Sequence, residues 1–336
     1  MTKEHNLDFC THFSSNYIPQ GLALIASVKK HYPMSKIWVM PLDEMTRITL
    51  STLKIENVSL LNRTDDQGLF ASFDCFQSTR SFAESVFSIK PQVIECVMKK
   101  SQENETIFYM DADTFMFAPL KFSVSSHEQS IFLSPHYFTP MSIKSLNAGE
   151  YNAGLVGFRN NDYGRLSITH WISLCKEWCF VKPDAGRYAD QRYLEEISKK
   201  WKQEVGILEY GNNFGPWSFA DDLRVESRNQ DIYINGKKLV SFHFHGMRIG
   251  RMVIRSGISM YGEFPSSNKF KKLVYHKYRS AIEDVFQNLS RIELLESIRD
   301  ERLIPKTGSL RNFLALLCRK DYMFTTSPHH LCGKKK

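Results

Sequence analysis

Apolar residues fall in short blocks divided by polar turns, and the spacing inside the blocks switches between two periods. Leu7 to Phe13 is a strand-like run, and Gly21 to His31 carries Leu22, Ile25, Ala26 and Val28 at helical spacing. Lys36 to Pro41 predicts a second strand, Asp43 to Leu53 a helix, and Val58 to Leu61 a third strand. A helix from about Ser81 to Lys100 leads into Ile107-Phe108-Tyr109-Met110, a strand that stops at Asp111-Ala112-Asp113. Strands alternating with short helices predict βαβ units, hence an α/β fold with a mainly parallel central sheet flanked by helices. Beyond it, Tyr151 to Phe158 predicts a strand with two glycines, Tyr163 to Phe180 and Ala189 to Lys199 predict helices, and Gly211 to Trp217 is loop. Leu239 to His245 predicts a late strand. From Lys269 to Ile292, Phe270, Val274, Tyr278, Ile282, Val285, Leu289 and Ile292 recur every three or four residues, the stripe of an amphipathic helix.

The composition is that of an ordinary globular chain: 42% of the 336 residues are hydrophobic and 24% charged, which removes the fibrous and disordered classes. Met1 to Asp8 is polar, and no apolar run approaches the roughly 20 residues that span a bilayer, so a cytoplasmic location is expected. Seven scattered cysteines without a CxxC pair argue against a disulfide framework or a structural zinc site. The net charge of +8 is concentrated in one place: Glu263 to Lys336 holds 15 basic against 8 acidic residues, and the remainder is almost balanced. These shifts divide the chain into a main domain over 1–262, taken in two halves over 1–125 and 126–262, and a helical basic extension over 263–336.

The candidate chemistry starts where the hydrophobic strand ends. Carboxylates at i and i+2 of an extended segment point the same way, so Asp111 and Asp113 offer two hard oxygen donors to one divalent cation, as needed to hold a metal-bound diphosphate. In open sheets of this kind ligands bind beyond the carboxyl ends of the strands, where this pair falls. The plain alternative is a solvated or helix-capping pair of loop acids. A second is a phosphatase of haloacid dehalogenase type with Asp111 as nucleophile, but that motif continues with Gly-Thr near a chain start, whereas Thr114 directly follows Asp113 here. In His243-Phe244-His245-Gly246, strand alternation puts both imidazoles on one face, and nitrogen ligands beside two carboxylates favour Mn²⁺ over Mg²⁺. Asn152-Ala153-Gly154 and Asp190-Gln191 carry amides and a carboxylate that suit sugar hydroxyls, although a glycine bulge and a first-turn acid explain them equally well.

The order of these pieces resembles the GT-A glycosyltransferases of family 8, which include glycogenin and the bacterial lipopolysaccharide galactosyl- and glucosyltransferases, or a sister family of surface-polysaccharide transferases. The match runs through Thr11, Tyr17, the Gly21 helix, Lys90 in Ser88-Ile89-Lys90-Pro91, Asp111-Ala112-Asp113, Asn152-Ala153-Gly154, Asp190-Gln191 and the His243 segment, about the first 250 residues. The resemblance implies a GT-A fold and a metal-dependent hexosyltransferase that takes a hexose from a nucleotide sugar, a UDP-hexose, to a saccharide or lipid-linked glycan with retention. It implies Mn²⁺ (or Mg²⁺) held by Asp111, Asp113 and His243 or His245. Thr11 and Tyr17 would contact the nucleotide, and Lys90, Asn152, Asp190 and Gln191 would surround the donor sugar, with Asp190 or Gln191 near the anomeric carbon. The family's His-x-x-Gly-x-x-Lys-Pro-Trp is replaced by His243-Phe-His-Gly246-Met-Arg248-Ile, so Arg248 or Arg251 would supply the cation for the leaving phosphate.

Three further features remain. Trp217, in Gly215-Pro216-Trp217, is either a stacking platform for an acceptor sugar or a packing residue. Asp221 and Asp222 would serve as base if the reaction inverts. The basic stripe around Lys269, Lys271, Lys272, Lys277 and Arg279 suits either docking at the inner face of a membrane or packing with a solvated basic face, while no nucleic-acid recognition motif accompanies it.

Overall fold

The computed structural model describes residues 7–122, 128–139, 148–219, 223–249, 253–257, 261, 268–291 and 322–324. The first half alternates as expected: β1 (Leu7–Phe13), α1 (Ile18–His31), β2 (Ile37–Pro41), α2 (Glu44–Leu53) and β3 (Val58–Leu60). α1 starts ahead of its periodic residues because Pro19 fits a first helical turn, where no N–H bond is needed. An additional helix, α3 (Gln67–Thr79), buries Leu69, Phe70, Phe73 and Phe76, a stripe at helical spacing that the sequence reading passed over. α4 (Phe82–Met98) opens on a reciprocal cap in which Ser81 accepts from Glu84 N while the Glu84 side chain accepts from Ser81 N.

β4 (Thr106–Met110), β5 (Thr114–Met116), β6 (Ile131–Pro135) and β7 (Tyr151–Arg159) follow, then α5 (Asp162–Glu177), α6 (Tyr193–Lys200) and β8 (Val205–Ile207). α6 begins later than the expected start at Ala189. Ala189 has φ +46°, outside the helical region, so Asp190 and Gln191 lie in the turn ahead of the helix and not in its first turn. β9 (Val225–Arg228), β10 (Asp231–Ile234) and β11 (Lys237–Lys238) form a small antiparallel sheet. β12 (Ser241–His243) is shorter than the expected Leu239 to His245, because the chain turns at Gly246, φ +76°, with Met247 N–H donating to Phe244 O.

The central sheet has the order β3-β2-β1-β4-β7-β6-β8. β1 pairs in parallel with both β2 and β4, and β7 runs antiparallel to its neighbours β4 and β6. This is the mainly parallel α/β sheet that the alternation predicts. Alternate residues of each strand supply two cores: Phe9 and Phe108 face the layer containing α1, while Cys10, Ile107 and Tyr109 face α3, α4 and α5. The strand order reverses between β1 and β4, and their carboxyl ends open one crevice.

β13 (Arg248–Ile249) pairs with β14 (Val253–Arg255), which pairs with a strand at Tyr322–Phe324, β15. Between them the expected C-terminal helix is present as α7 (Asn268–Phe270), a π-helical stretch over Lys271–Tyr275 and α8 (His276–Arg291). Its stripe residues Phe270, Val274, Tyr278, Ile282, Val285 and Leu289 are buried in the α1 core, and Ile292 lies outside the described residues. That apolar face is therefore closed to a lipid surface, which corrects the membrane-docking alternative for this stripe; Lys269, Lys272 and Lys277 point to solvent. No helix among the described residues is long and apolar enough to cross a membrane.

Candidate active site

The acidic pair and the late histidine meet through a two-stranded ladder. β12 pairs antiparallel with β5, setting His243 opposite Thr114, and Phe244 N–H donates to Asp113 O at 2.8 Å. Thr114 N–H donating to Asp111 O closes the turn between the two aspartates. As a result His243 Nε2 lies 3.0 Å from Asp113 Oδ1 and 3.8 Å from Asp111 Oδ2. Burial works to raise the Asp113 carboxyl, but the His243 imidazole outweighs it and holds the group at about 2. Burial likewise opposes a charged His243, and the two aspartates overcome it, so its pKa lies above the ordinary value.

Lys90 joins this group to Asp190. It is 2% exposed, and its ammonium sits 3.2 Å from Asp111 Oδ1, 2.9 Å from Asp190 Oδ2 and 3.2 Å from Ala153 O. The ammonium thus donates to the Ala153 carbonyl and pairs in charge with two carboxylates inside the protein. Burial disfavours the charged Lys90, yet Asp111 and Asp190 raise its pKa overall. Asp190 is pushed up by burial, partly offset by Lys90, whereas Asp111 is lowered because Lys90 and His243 outweigh its burial. Tyr109 O–H also donates to Asp111 Oδ1 at 2.8 Å. The sequence reading missed Tyr109, although strand alternation places it on the same side as Asp111.

The remaining expected residues divide into two groups. Tyr17 and Arg248 meet at the crevice rim, with Arg248 Nη1 donating to the Tyr17 hydroxyl at 2.9 Å; Arg251, Asp221 and Asp222 lie outside the described residues. Gln191 is half-buried, and Thr11 is buried in β1 with its hydroxyl unpartnered among the described residues. Asn152 is turned inward: its Oδ1 accepts from Gly154 N and Asn213 Nδ2, and its Nδ2 lies 3.0 Å from His136 Nε2. His136 and Asn213 had no signal in the sequence, since nothing local marks a polar residue as an interior partner.

The expectation for His245 changes here, and one of the two readings of Trp217 is favoured. His245 does not share a strand face with His243; it lies in the turn, with Nδ1 2.6 Å from the Tyr261 hydroxyl. Trp217 is 2% exposed, edge-on to the rings of His136, His243, His245 and Tyr261, so it packs under the site and offers no face to a sugar.

Gly154 has its own steric reason. A Cβ there would lie 2.5 Å from His243 Nδ1 and 2.7 Å from Asn152 Oδ1, so the imidazole occupies the space a side chain would fill. Gly154→Ala is expected to displace His243 and destabilise the fold by about 1–3 kcal/mol, as overpacking does. An unshifted imidazole resonance and an unchanged urea midpoint would overturn this.

Two buried histidines give the fold an acid limit. Burial, with help from Lys90, lowers His12 to about 4, and burial lowers His136 to about 3. Below the unfolded value near 6.5 the unfolded chain takes up protons that the folded chain refuses, so stability falls with pH through that window. The urea midpoint should drop between pH 7 and pH 4.5; a flat profile would contradict the burial assignment.

The donor set fits a hard or borderline divalent cation. Neighbouring ligands of an octahedral ion, with bonds of roughly 2.1 Å, stand about 3 Å apart, close to the His243–Asp113 spacing. Among the described residues no three such side chains surround a ready ion position, and His243 bonds Asp113 directly, so cation binding requires loss of the His243 proton.

No known family profile matches the chain. It is 27% identical over 251 residues to YfnF of Bacillus subtilis (strain 168), a protein described as uncharacterized, covering 72% of this chain and 82% of YfnF. It is 26% identical over 247 residues to YfnD of the same organism, also described as uncharacterized, covering 72% and 78%. Among solved structures it is similar to the galactosyltransferase LgtC in complex with donor and acceptor sugar analogs, at 16% identity over 62% of this chain and 76% of LgtC, with a TM-score of 0.42. It is also similar to the glycosyltransferase GlyE of Streptococcus pneumoniae TIGR4, at 16% identity over 61% of this chain and 46% of GlyE, with a TM-score of 0.38.

Proposed function

We propose that the protein is a metal-dependent glycosyltransferase that moves a hexose from a nucleoside diphosphate sugar, a UDP-hexose, to a saccharide or lipid-linked glycan. The observation that carries this is the meeting of Asp111, Asp113 and His243 at the carboxyl edge of the sheet, where the strand order reverses. Bound there, Mn²⁺ would neutralise the charge that develops on the departing diphosphate. The protein's own groups do the rest. Asp111, Asp113 and His243 hold the ion, while the His245 ring stands perpendicular to that of His243 at 5.7 Å. Tyr17 meets the base and Arg248 meets the phosphates, and their mutual hydrogen bond brings both to one rim. Asp190 and Gln191 face the sugar, and Lys90 acts by fixing Asp190 against Asp111.

Retention of the anomeric configuration belongs to the proposal. The resemblance carries it; Asp190, held in an ion pair with Lys90, is not a free base for inversion, and Asp221 and Asp222, which would be, lie outside the described residues. A phosphatase with Asp111 as nucleophile is less well served, because one oxygen of Asp111 is already engaged by both Lys90 and Tyr109.

The test is thermal shift and turnover with UDP, UDP-glucose and UDP-galactose, each with and without Mn²⁺. Binding to the folded form alone raises the melting temperature, so a rise that needs both ion and nucleotide is expected. No rise with any of them would sink the reading; a rise without hydrolysis or transfer would leave a nucleotide-sugar-binding protein.

A further inference from the structure

The turn ahead of α6 carries a conformation that its sequence does not favour. Ala189 is 4% exposed and sits at φ +46°, in the left-handed region where non-glycine residues are strained. It is held there by its own N–H, which donates to Phe180 O at 3.0 Å. The next residue is Asp190, and its backbone carbonyl accepts from the indole Nε1–H of Trp171, on α5, at 2.9 Å. Trp171 is fully buried, and its indole donor points at the residue whose carboxylate meets Lys90 at 2.9 Å. Asp190 is therefore fixed at both ends, by an indole on its carbonyl and an ammonium on its carboxylate.

We propose that Trp171 and Ala189 are positioning residues that aim the Asp190 carboxylate, Trp171 by anchoring the Asp190 carbonyl and Ala189 by setting the reversed turn that delivers it. Neither would touch substrate. This rests on the sugar-transfer reading only in taking Asp190 to meet the donor sugar. Strained backbone persists where its surroundings over-determine it, and here that surrounding is one hydrogen bond on each side of the turn. A purely structural role would lower stability and leave the rate of the folded fraction alone. An aiming role lowers the rate far more than it weakens ion and nucleotide binding, because Asp111, Asp113 and His243 belong to other elements and Asp190 is tied to Asp111 indirectly, through the Lys90 ammonium.

The experiment compares the full chain with Trp171→Phe, Ala189→Gly and Ala189→Val, measuring UDP-glucose and UDP-galactose hydrolysis with Mn²⁺ and, separately, Mn²⁺-dependent UDP binding by calorimetry. Trp171→Phe removes the indole donor while keeping an aromatic ring, and is expected to lower kcat at least tenfold with UDP affinity within twofold. Ala189→Gly should keep the wild-type kcat, since glycine adopts positive φ freely, whereas Ala189→Val should lose it as Trp171→Phe does. Wild-type kcat in both Trp171→Phe and Ala189→Val, or a loss of UDP affinity matching the loss of kcat, would overturn the assignment. If the wild-type chain hydrolyses neither sugar, the transfer reading fails by itself, and a crystal structure of Trp171→Phe decides the positioning claim. Asp190 still 2.9 Å from Lys90 there would overturn it; a displaced carboxylate would uphold it.

Discussion

Replacing Lys90 by Met should destabilise the folded protein by about 3–5 kcal/mol and reduce turnover of a UDP-sugar by two orders of magnitude or more. Lys90 is the buried cation between Asp111 and Asp190, and its removal leaves the two carboxylates without the cation they share, with His243 3.8 Å from Asp111 as a remaining partner. Removing one partner of a buried ion pair costs more than the pair contributes, because the remaining charge stays desolvated. The pH dependence gives the mechanism away. With the ammonium gone, the Asp190 carboxyl, which burial already holds above its ordinary value, rises further, so the variant recovers stability at low pH and loses it as pH increases through that raised value. The gap in urea midpoint between wild type and Lys90→Met should accordingly be wider at pH 8 than at pH 5. Equal midpoints at pH 8 would show that Lys90 is dispensable to the site.

Asp113→Asn should leave the fold nearly intact and remove Mn²⁺-dependent UDP binding, with affinity falling at least a hundredfold. The amide keeps the shape of the carboxylate and an oxygen that accepts from His243, so the 3.0 Å contact survives in neutral form and the stability loss stays near 1 kcal/mol. What disappears is a negative charge, which an incoming divalent cation needs and which the His243 imidazole keeps on Asp113 by holding its carboxyl at about 2 in the native protein. Calorimetry with Mn²⁺ and UDP, alongside urea denaturation of the same sample, separates the two effects. Undiminished binding would remove Asp113 from the ion site; equal loss of stability and binding would mean that the substitution had only loosened the fold.

Much of the architecture is legible in the chain because the relevant forces act over neighbouring residues. A strand shows itself by a hydrophobic run such as Ile107 to Met110, and a helix by the stripe from Phe270 to Leu289, since each depends on which side of one element is buried. The Asp111–Asp113 pair was equally readable, being two residues apart on a segment whose end is marked by loss of apolar character. The ends of elements were less so. β12 stops before His245 and α6 starts after Asp190 because backbone turns at Gly246 and Ala189 intervene, and a positive φ at an alanine has no sequence mark.

The chain alone therefore determined the α/β alternation, the place of the acidic pair at a strand end and the amphipathic character of the last helix, all consequences of short-range periodicity. Tertiary structure alone decided that His243 and not His245 reaches both aspartates, that Lys90 and Asn152 direct their polar groups inward, and that the basic helix buries its apolar face against α1. Those outcomes hang on pairings between segments far apart in the chain, such as β5 with β12, where burial and hydrogen-bond satisfaction over the whole molecule choose among partners that local pattern leaves equivalent.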